Sequence, residues 1–254
     1  GDELMDVTYD MVYLENEYIK VTILPAFGGK IQKAVDKTNG YEIIHSNTTI
    51  KPDLIGTLGA WVSGGIEWCF PHHHRPSTLL QADYLIQENE DGSATVWIGE
   101  TEKTLRLRGI VGVTLHPGRS YFEVEYRINN PTDVTKTFLF WANASMTANE
   151  NYRTFWPPSQ EIAVNHNNSD FTHWPISHSE YTRTDYTSGV DLTWWKNHPD
   201  PKSFFFWQAE EGFIGGYDYG QEAGTVHVGN VYENKTSKLF QFGPGTTGQA
   251  YRKS

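Results

Sequence analysis

Apolar and polar residues alternate with a period of two along most of this chain, and helical spacing is scarce. Val12 and Leu14 precede a polar Glu-Asn-Glu turn, after which Ile19, Val21 and Ile23 alternate with Lys20 and Thr22. Tyr84 and Ile86 lead into Asn89-Glu90-Asp91-Gly92, a turn sequence, and Ala94, Val96 and Ile98 then share one face. Val111, Val113 and Leu115 run up to His116-Pro117-Gly118. Phe122, Val124, Tyr126 and Ile128 alternate with Glu123, Glu125 and Arg127. Asn129-Asn130-Pro131-Thr132 turns the chain, and Phe138 and Phe140 begin a further strand. Successive side chains of a strand point to opposite faces, so each segment offers one apolar face to a core. Short strands punctuated by turns predict an all-β protein, a large antiparallel sandwich.

Residues 149–203 break the pattern. They are rich in Asn, His, Trp, Pro, Ser and Thr, with little periodicity, and a loop region this long points to function. Strands are expected again at 204–207, 213–217, 226–228 and 238–242. No linker or repeat interrupts the 254 residues, so residues 1–254 are expected to form a single domain.

Composition narrows the function. Aromatic residues make up 14% of the chain and nine are Trp, several of them beside Gly, Pro, Asn or His. Such rings either fill a β core or offer flat faces to the C–H surface of a sugar. The net charge of −11 is the wrong sign for a nucleic-acid binder. No run of eighteen apolar residues predicts a membrane-inserted helix. The lone Cys69 excludes an internal disulfide, and beside Trp68 and Phe70 it reads as a small buried hydrophobe.

One stretch concentrates candidate chemistry: Gly64-Gly65-Ile66-Glu67-Trp68-Cys69-Phe70-Pro71-His72-His73-His74-Arg75-Pro76. The glycine pair allows positive φ or a close backbone approach, and the prolines stiffen the turn that follows. Glu67, His72 and His74 are candidate proton-transfer groups, since imidazole titrates near neutrality and both donates and accepts. Arg75 is a candidate substrate ligand. No metal is expected, because neither a Cys pair nor a His-Glu-x-x-His pattern is present and His72 and His74 share a side only if the segment is extended. No nucleophile elbow, phosphate cradle or dinucleotide fingerprint occurs, and no cofactor is expected. Further candidates for binding a hydroxylated ring are Trp61, Trp141 and Asn143 in Phe140-Trp141-Ala142-Asn143-Ala144, Trp156 before Pro157-Pro158, and Trp174 before Pro175.

Two of these segments carry a resemblance. NEYIKVTILPAFGGKIQKAVDKTNGYEI, residues 16–43, resembles the opening of galactose-mutarotase-like (aldose 1-epimerase-like) proteins, and GGIEWCFPHHH resembles the Gly-Gly-Ile-Pro-x-Cys-x-Pro element of hexose-phosphate epimerases in that superfamily. LIGTLGAWVSGGIEWCFPHHHRPST, ENEDGSATVWIG, FLFWANASM and KLFQFG look like recurring segments of a bacterial domain family of that fold, often N-terminal to tetratricopeptide repeats. The resemblance implies a β-supersandwich, a mono- or oligosaccharide as partner, and further domains in the same chain. It implies an epimerase-like or glycosidase-like activity in the full-length protein, or alternatively a non-catalytic sugar-binding or scaffold module. By analogy it suggests the periplasm or cell surface, with the cytoplasm also open.

The family's catalytic pair does not carry over. Its histidine position looks like Trp141-Ala142-Asn143-Ala144, and an amide cannot exchange a proton near neutral pH. Its glutamate strand would follow about where the sequence stops, at Tyr251-Arg252-Lys253-Ser254, so the domain is expected to be cut before its last strand. Glu67 stands where the epimerases have proline, and with His72 and His74 it could supply acid and base. A glycosidase would pair Glu67 with a second carboxylate such as Glu150, Asp170 or Asp185. The binding hollow is expected on a concave sheet face, between residues 61–76 and 149–195.

Overall fold

The computed structural model describes residues 3–55, 59–207 and 209–253. The chain divides into two compact units, Gly1–Thr147 and Ala148–Ser254. The first holds β1 (Val12–Glu15), β2 (Ile19–Leu24), β3 (Lys30–Asp36), β4 (Glu42–Ile44), β5 (Pro52–Ile55), β6 (Gly59–Val62), β7 (Ile66–Cys69), β8 (Asp83–Glu88), β9 (Ala94–Thr101), β10 (Arg108–Leu115), β11 (Phe122–Asn129) and β12 (Trp141–Ala144). One sheet runs β1-β2-β3-β7-β12 with β4 beside β3, and a second runs β11-β10-β9-β8. The pairings are antiparallel throughout.

The alternation seen in the sequence explains the core of this unit. Val21, Ile23, Ile31 and Trp68 from the first sheet pack with Val96, Ile98, Val111 and Val113 from the second. Facing apolar sides of two antiparallel sheets make a sandwich, and removing this surface from water is its main stabilisation.

The pattern misled at two strands. Tyr84 and Ile86 alternate as if facing the core, yet β8 is exposed along its whole length, because it is the edge strand and the core lies beneath β9 and β10. The strand expected from Phe138 begins instead at Trp141. Phe138 is exposed, while Phe140 stacks on Tyr126 with centroids 3.5 Å apart.

The second unit contains β13 (Tyr152–Phe155), β14 (Ile162–Val164), β15 (Phe171–His173), β16 (Ile176–Ser177), β17 (Glu180–Tyr181), β18 (Thr184–Asp185), β19 (Val190–Asp191), β20 (Lys202–Phe206), β21 (Phe213–Asp218), β22 (Ala223–Val228), β23 (Ser237–Gln241) and a short helix α1 (Thr246–Lys253). Sheets β13-β21-β22 and β15-β14-β20-β23 are accompanied by the two-stranded pairs β16-β19 and β17-β18. The region read as aperiodic loop is therefore threaded with strands of two to five residues, too short to display a period. They surround a second core of Trp174, Tyr181, Tyr186, Leu192, Phe204 and Phe206. The helix was not expected at the C-terminal end, and Ser254 lies outside the described residues.

Candidate functional site

In the first unit the glycine pair fixes the start of β7. Gly64 and Gly65 take φ values of 81° and 73°, in the left-handed region that glycine tolerates. A Cβ on Gly65 would sit 2.1 Å from the Ile31 carbonyl oxygen, so only a bare backbone brings β7 this close to β3. Along β7, Glu67 and Cys69 are two residues apart and share a face. Trp68 points elsewhere, and its Nε1 donates to the Gly29 carbonyl over 3.0 Å. In the antiparallel ladder with β12, Glu67 faces Asn143 and Cys69 faces Trp141.

The chain then bends through residues 71–74 and brings His74 back over β7. His74 Nδ1 lies 2.9 Å from Glu67 Oε2 and 3.9 Å from Cys69 Sγ. The His74 ring meets Trp141 edge-on at 4.8 Å. Thr78 Oγ1 is 3.4 Å from Glu67 Oε1, and Asn143 Nδ2 is 3.4 Å from Glu67 Oε2. Lys30 donates to the carbonyls of Val62 and Gly64; burial pulls its pKa down to about 8, against the opposing influence of the Glu67 charge. Glu67 is 2% exposed, Cys69 0% and His74 9%.

The neighbouring candidates part company at the bend. His72 is exposed, with Nε2 3.0 Å from Thr137 Oγ1, so the segment is not extended and its histidines face different surroundings. Arg75 is buried, donates to the Gly28 carbonyl, and holds its Nε 3.3 Å from Glu100 Oε1. Trp61 is half-buried on β6, opposite Asp53. The first unit thus unites Glu67, His74, Trp141 and Asn143 around one point.

The second unit contributes a cleft of about 330 Å³ that includes Trp156 and Trp174. Trp156 donates from Nε1 to Thr154 Oγ1 at 3.1 Å, packs on Phe206 at 4.3 Å, and meets Trp174 edge-on at 5.8 Å. Tyr217 and Tyr219 form another edge-on pair in the cleft wall, 5.0 Å apart. Arg153 is held in place by Thr193 Oγ1 at 2.9 Å and Asp191 Oδ2 at 3.1 Å. Gln160 lines the same cleft at 3% exposure, and neither of its amide atoms finds a hydrogen-bond partner among the described residues. Such a group costs stability where it stands and is a ready donor and acceptor for something else.

Sequence reasoning named Trp156 and Trp174 but missed Gln160, Arg153, Tyr217 and Tyr219. The available signal was the Trp156-Pro157-Pro158-Ser159-Gln160 run, whose prolines stiffen the turn that delivers Gln160; its backbone N–H bonds the Pro157 carbonyl at 3.0 Å.

Solved structures similar to this chain include the following two. A TPR-domain containing protein from Parabacteroides distasonis ATCC 8503 matches with a TM-score of 0.79 and 21% identity, over 94% of this chain. This chain spans 39% of that protein's length. The Slr1438 protein from Synechocystis sp. PCC 6803 matches with a TM-score of 0.65 and 12% identity, over 94% of this chain and 84% of that one. The fold is all-β and antiparallel, and it is shared with these two structures. A family model described as "Domain of unknown function (DUF5107)" matches residues 3–253, and the chain belongs to that family.

Proposed function

We propose that this chain is a carbohydrate-binding domain of a larger protein, with a mono- or oligosaccharide held in the Trp156–Trp174 cleft. The observation that carries this reading is the buried, unpartnered amide of Gln160 in a wall of aromatic rings. Indole and phenol faces suit the apolar C–H surface of a sugar ring, and a primary amide can donate to one hydroxyl while accepting from another. The cleft volume of about 330 Å³ falls at the lower end of the roughly 300–1,000 Å³ range of small-molecule sites. Arg153, already braced by Asp191, adds a fixed donor at the wall.

A second reading assigns epimerase-like or glycosidase-like chemistry to Glu67, His72 and His74, with Trp61, Arg75, Trp141 and Asn143 as substrate contacts. The 2.9 Å contact between Glu67 and His74 favours it, because a carboxylate beside an imidazole can share a proton. The position of His72 weighs against it: exposed, with Nε2 3.0 Å from Thr137 Oγ1, it does not join the pair.

Titration of the chain with a panel of neutral mono- and oligosaccharides, followed by calorimetry and Trp fluorescence, tests the first reading. Saturable binding that is lost in Trp156→Ala supports it; the absence of binding across the panel, or binding indifferent to Trp156, refutes it. Anomer exchange by NMR tests the second, with loss of exchange in Glu67→Gln expected if the pair reacts.

A further inference from the structure

The Glu67–Cys69–His74 cluster brings a carboxylate, a thiol and an imidazole to one buried point. Glu67 Oε2 and Cys69 Sγ both approach the same ring nitrogen, His74 Nδ1, at 2.9 and 3.9 Å, and the three donor atoms lie within 4.8 Å of one another. One imidazole nitrogen carries at most one proton, so it cannot donate to a carboxylate and to a sulfur at full strength together. A cation at their common focus would serve all three.

We propose that Glu67, Cys69 and His74 form a buried binding site for a borderline-soft divalent cation of the Zn²⁺ class. The donor set selects the metal: thiolate and imidazole favour zinc, whereas magnesium and calcium call for an all-oxygen shell. The spacing fits. Zinc bond lengths of about 2.0–2.3 Å in a tetrahedron separate donor atoms by about 3.3–3.6 Å, so the cluster closes around the ion with side-chain adjustments of roughly an ångström.

The sequence builds the site economically. Residues 67 and 69 face one way because a strand alternates, and the 71–74 bend returns the histidine to them. Asn143, opposite Glu67 on β12, is a source of a fourth ligand; turning its amide presents the oxygen instead of the nitrogen. On binding, the Cys69 thiol proton passes to solvent, His74 ligates through Nδ1 and keeps its proton on Nε2, and Glu67 ligates as the carboxylate. With Glu67, Cys69 and His74 0–9% exposed and Asn143 half-buried, this is a structural site that ties β7 to the bend. It belongs to the first unit and the sugar cleft to the second, and neither proposal depends on the other. The sequence has neither a Cys pair nor a His-Glu-x-x-His pattern, and Cys69 beside Trp68 and Phe70 reads there as a small buried hydrophobe, so no spacing rule reveals the site.

The test strips the full chain of metal with a chelator, then adds Co²⁺ both to native protein and during refolding. One equivalent should bind and produce the thiolate-to-cobalt charge-transfer band, which can come from no residue but Cys69, the one cysteine. Zn²⁺ should displace the cobalt and raise the unfolding temperature. Cys69→Ser should abolish the band and weaken Zn²⁺ affinity about tenfold or more. His116→Ala removes a half-buried histidine beside Asp91 and Glu123 and should leave the band intact. Failure of wild-type protein to develop the band at saturating Co²⁺ overturns the proposal without recourse to any variant. Unchanged Zn²⁺ affinity in a folded Cys69→Ser protein overturns it equally.

Discussion

Gln160 places both a donor and an acceptor in an aromatic wall with no partner among the described residues. A residue kept for binding is a burden to the empty protein. Gln160→Met should therefore raise stability by about 1 kcal/mol, since it removes unpaired buried polar atoms. It should also weaken saccharide binding about tenfold, corresponding to ~1.4 kcal/mol. Thermal unfolding and calorimetric titration of the same variant read the two effects, and a variant that gains neither stability nor weakness contradicts the assignment. His198 makes a different prediction. It is fully buried, its Nε2 donates to the Leu192 carbonyl at 2.8 Å, and burial lowers its pKa from 6.5 to about 4. The unfolded chain therefore takes up this proton at higher pH than the folded one. Stability contributed by the neutral ring is complete above about pH 6.5 and is lost as pH falls toward 4. Urea unfolding across that window should show a decline that is shallower in His198→Gln. At this scale the sequence disclosed residue types better than their company. Glu67 and His74 stood out as titratable groups beside glycines, whereas the role of Cys69 depends on a bend that returns His74 to it, and that of Gln160 on β21 lining the same cleft.

Elements were legible in proportion to their length. The eight-residue strands β9 and β10 repeat their alternation often enough to be seen, whereas a two-residue strand such as β16 cannot express a period at all. Turn chemistry was the other readable signal, and the glycines can be ranked by it. Gly65 and Gly40 both have positive φ, at 73° and 78°. A Cβ at Gly65 would collide with the Ile31 carbonyl, whereas at Gly40 it would meet nothing within 4 Å. Gly40→Ala should cost only the left-handed backbone penalty, about 1 kcal/mol. Gly65→Ala adds a forced separation of β3 from β7 and should cost roughly 3 kcal/mol or more. Chemical denaturation of the two variants side by side checks the order, and equal losses would mean that the close approach is not what fixes β7.

Across the molecule, the acidic balance of the chain sets which ligands are welcome. A charge of −11 repels anions at a distance, and salt screens that repulsion over about 10 Å at 0.1 M. Affinity for a neutral saccharide should be nearly independent of ionic strength, while any affinity for a uronic acid should rise with salt. Isothermal titrations at low and high salt decide this, and uronate binding that weakens with salt would point to a basic site instead. The all-β class was written in the alternation of the chain because it is a property of many residues at once. Its division into two compact units was not, because no glycine- or proline-rich linker marks residues 147–148. Each unit nevertheless keeps its principal apolar core to itself: Val21, Trp68 and Val113 belong to one, Trp174, Phe204 and Phe206 to the other. A recombination crossover between Thr147 and Ala148 would therefore pass each of these two clusters to a descendant whole.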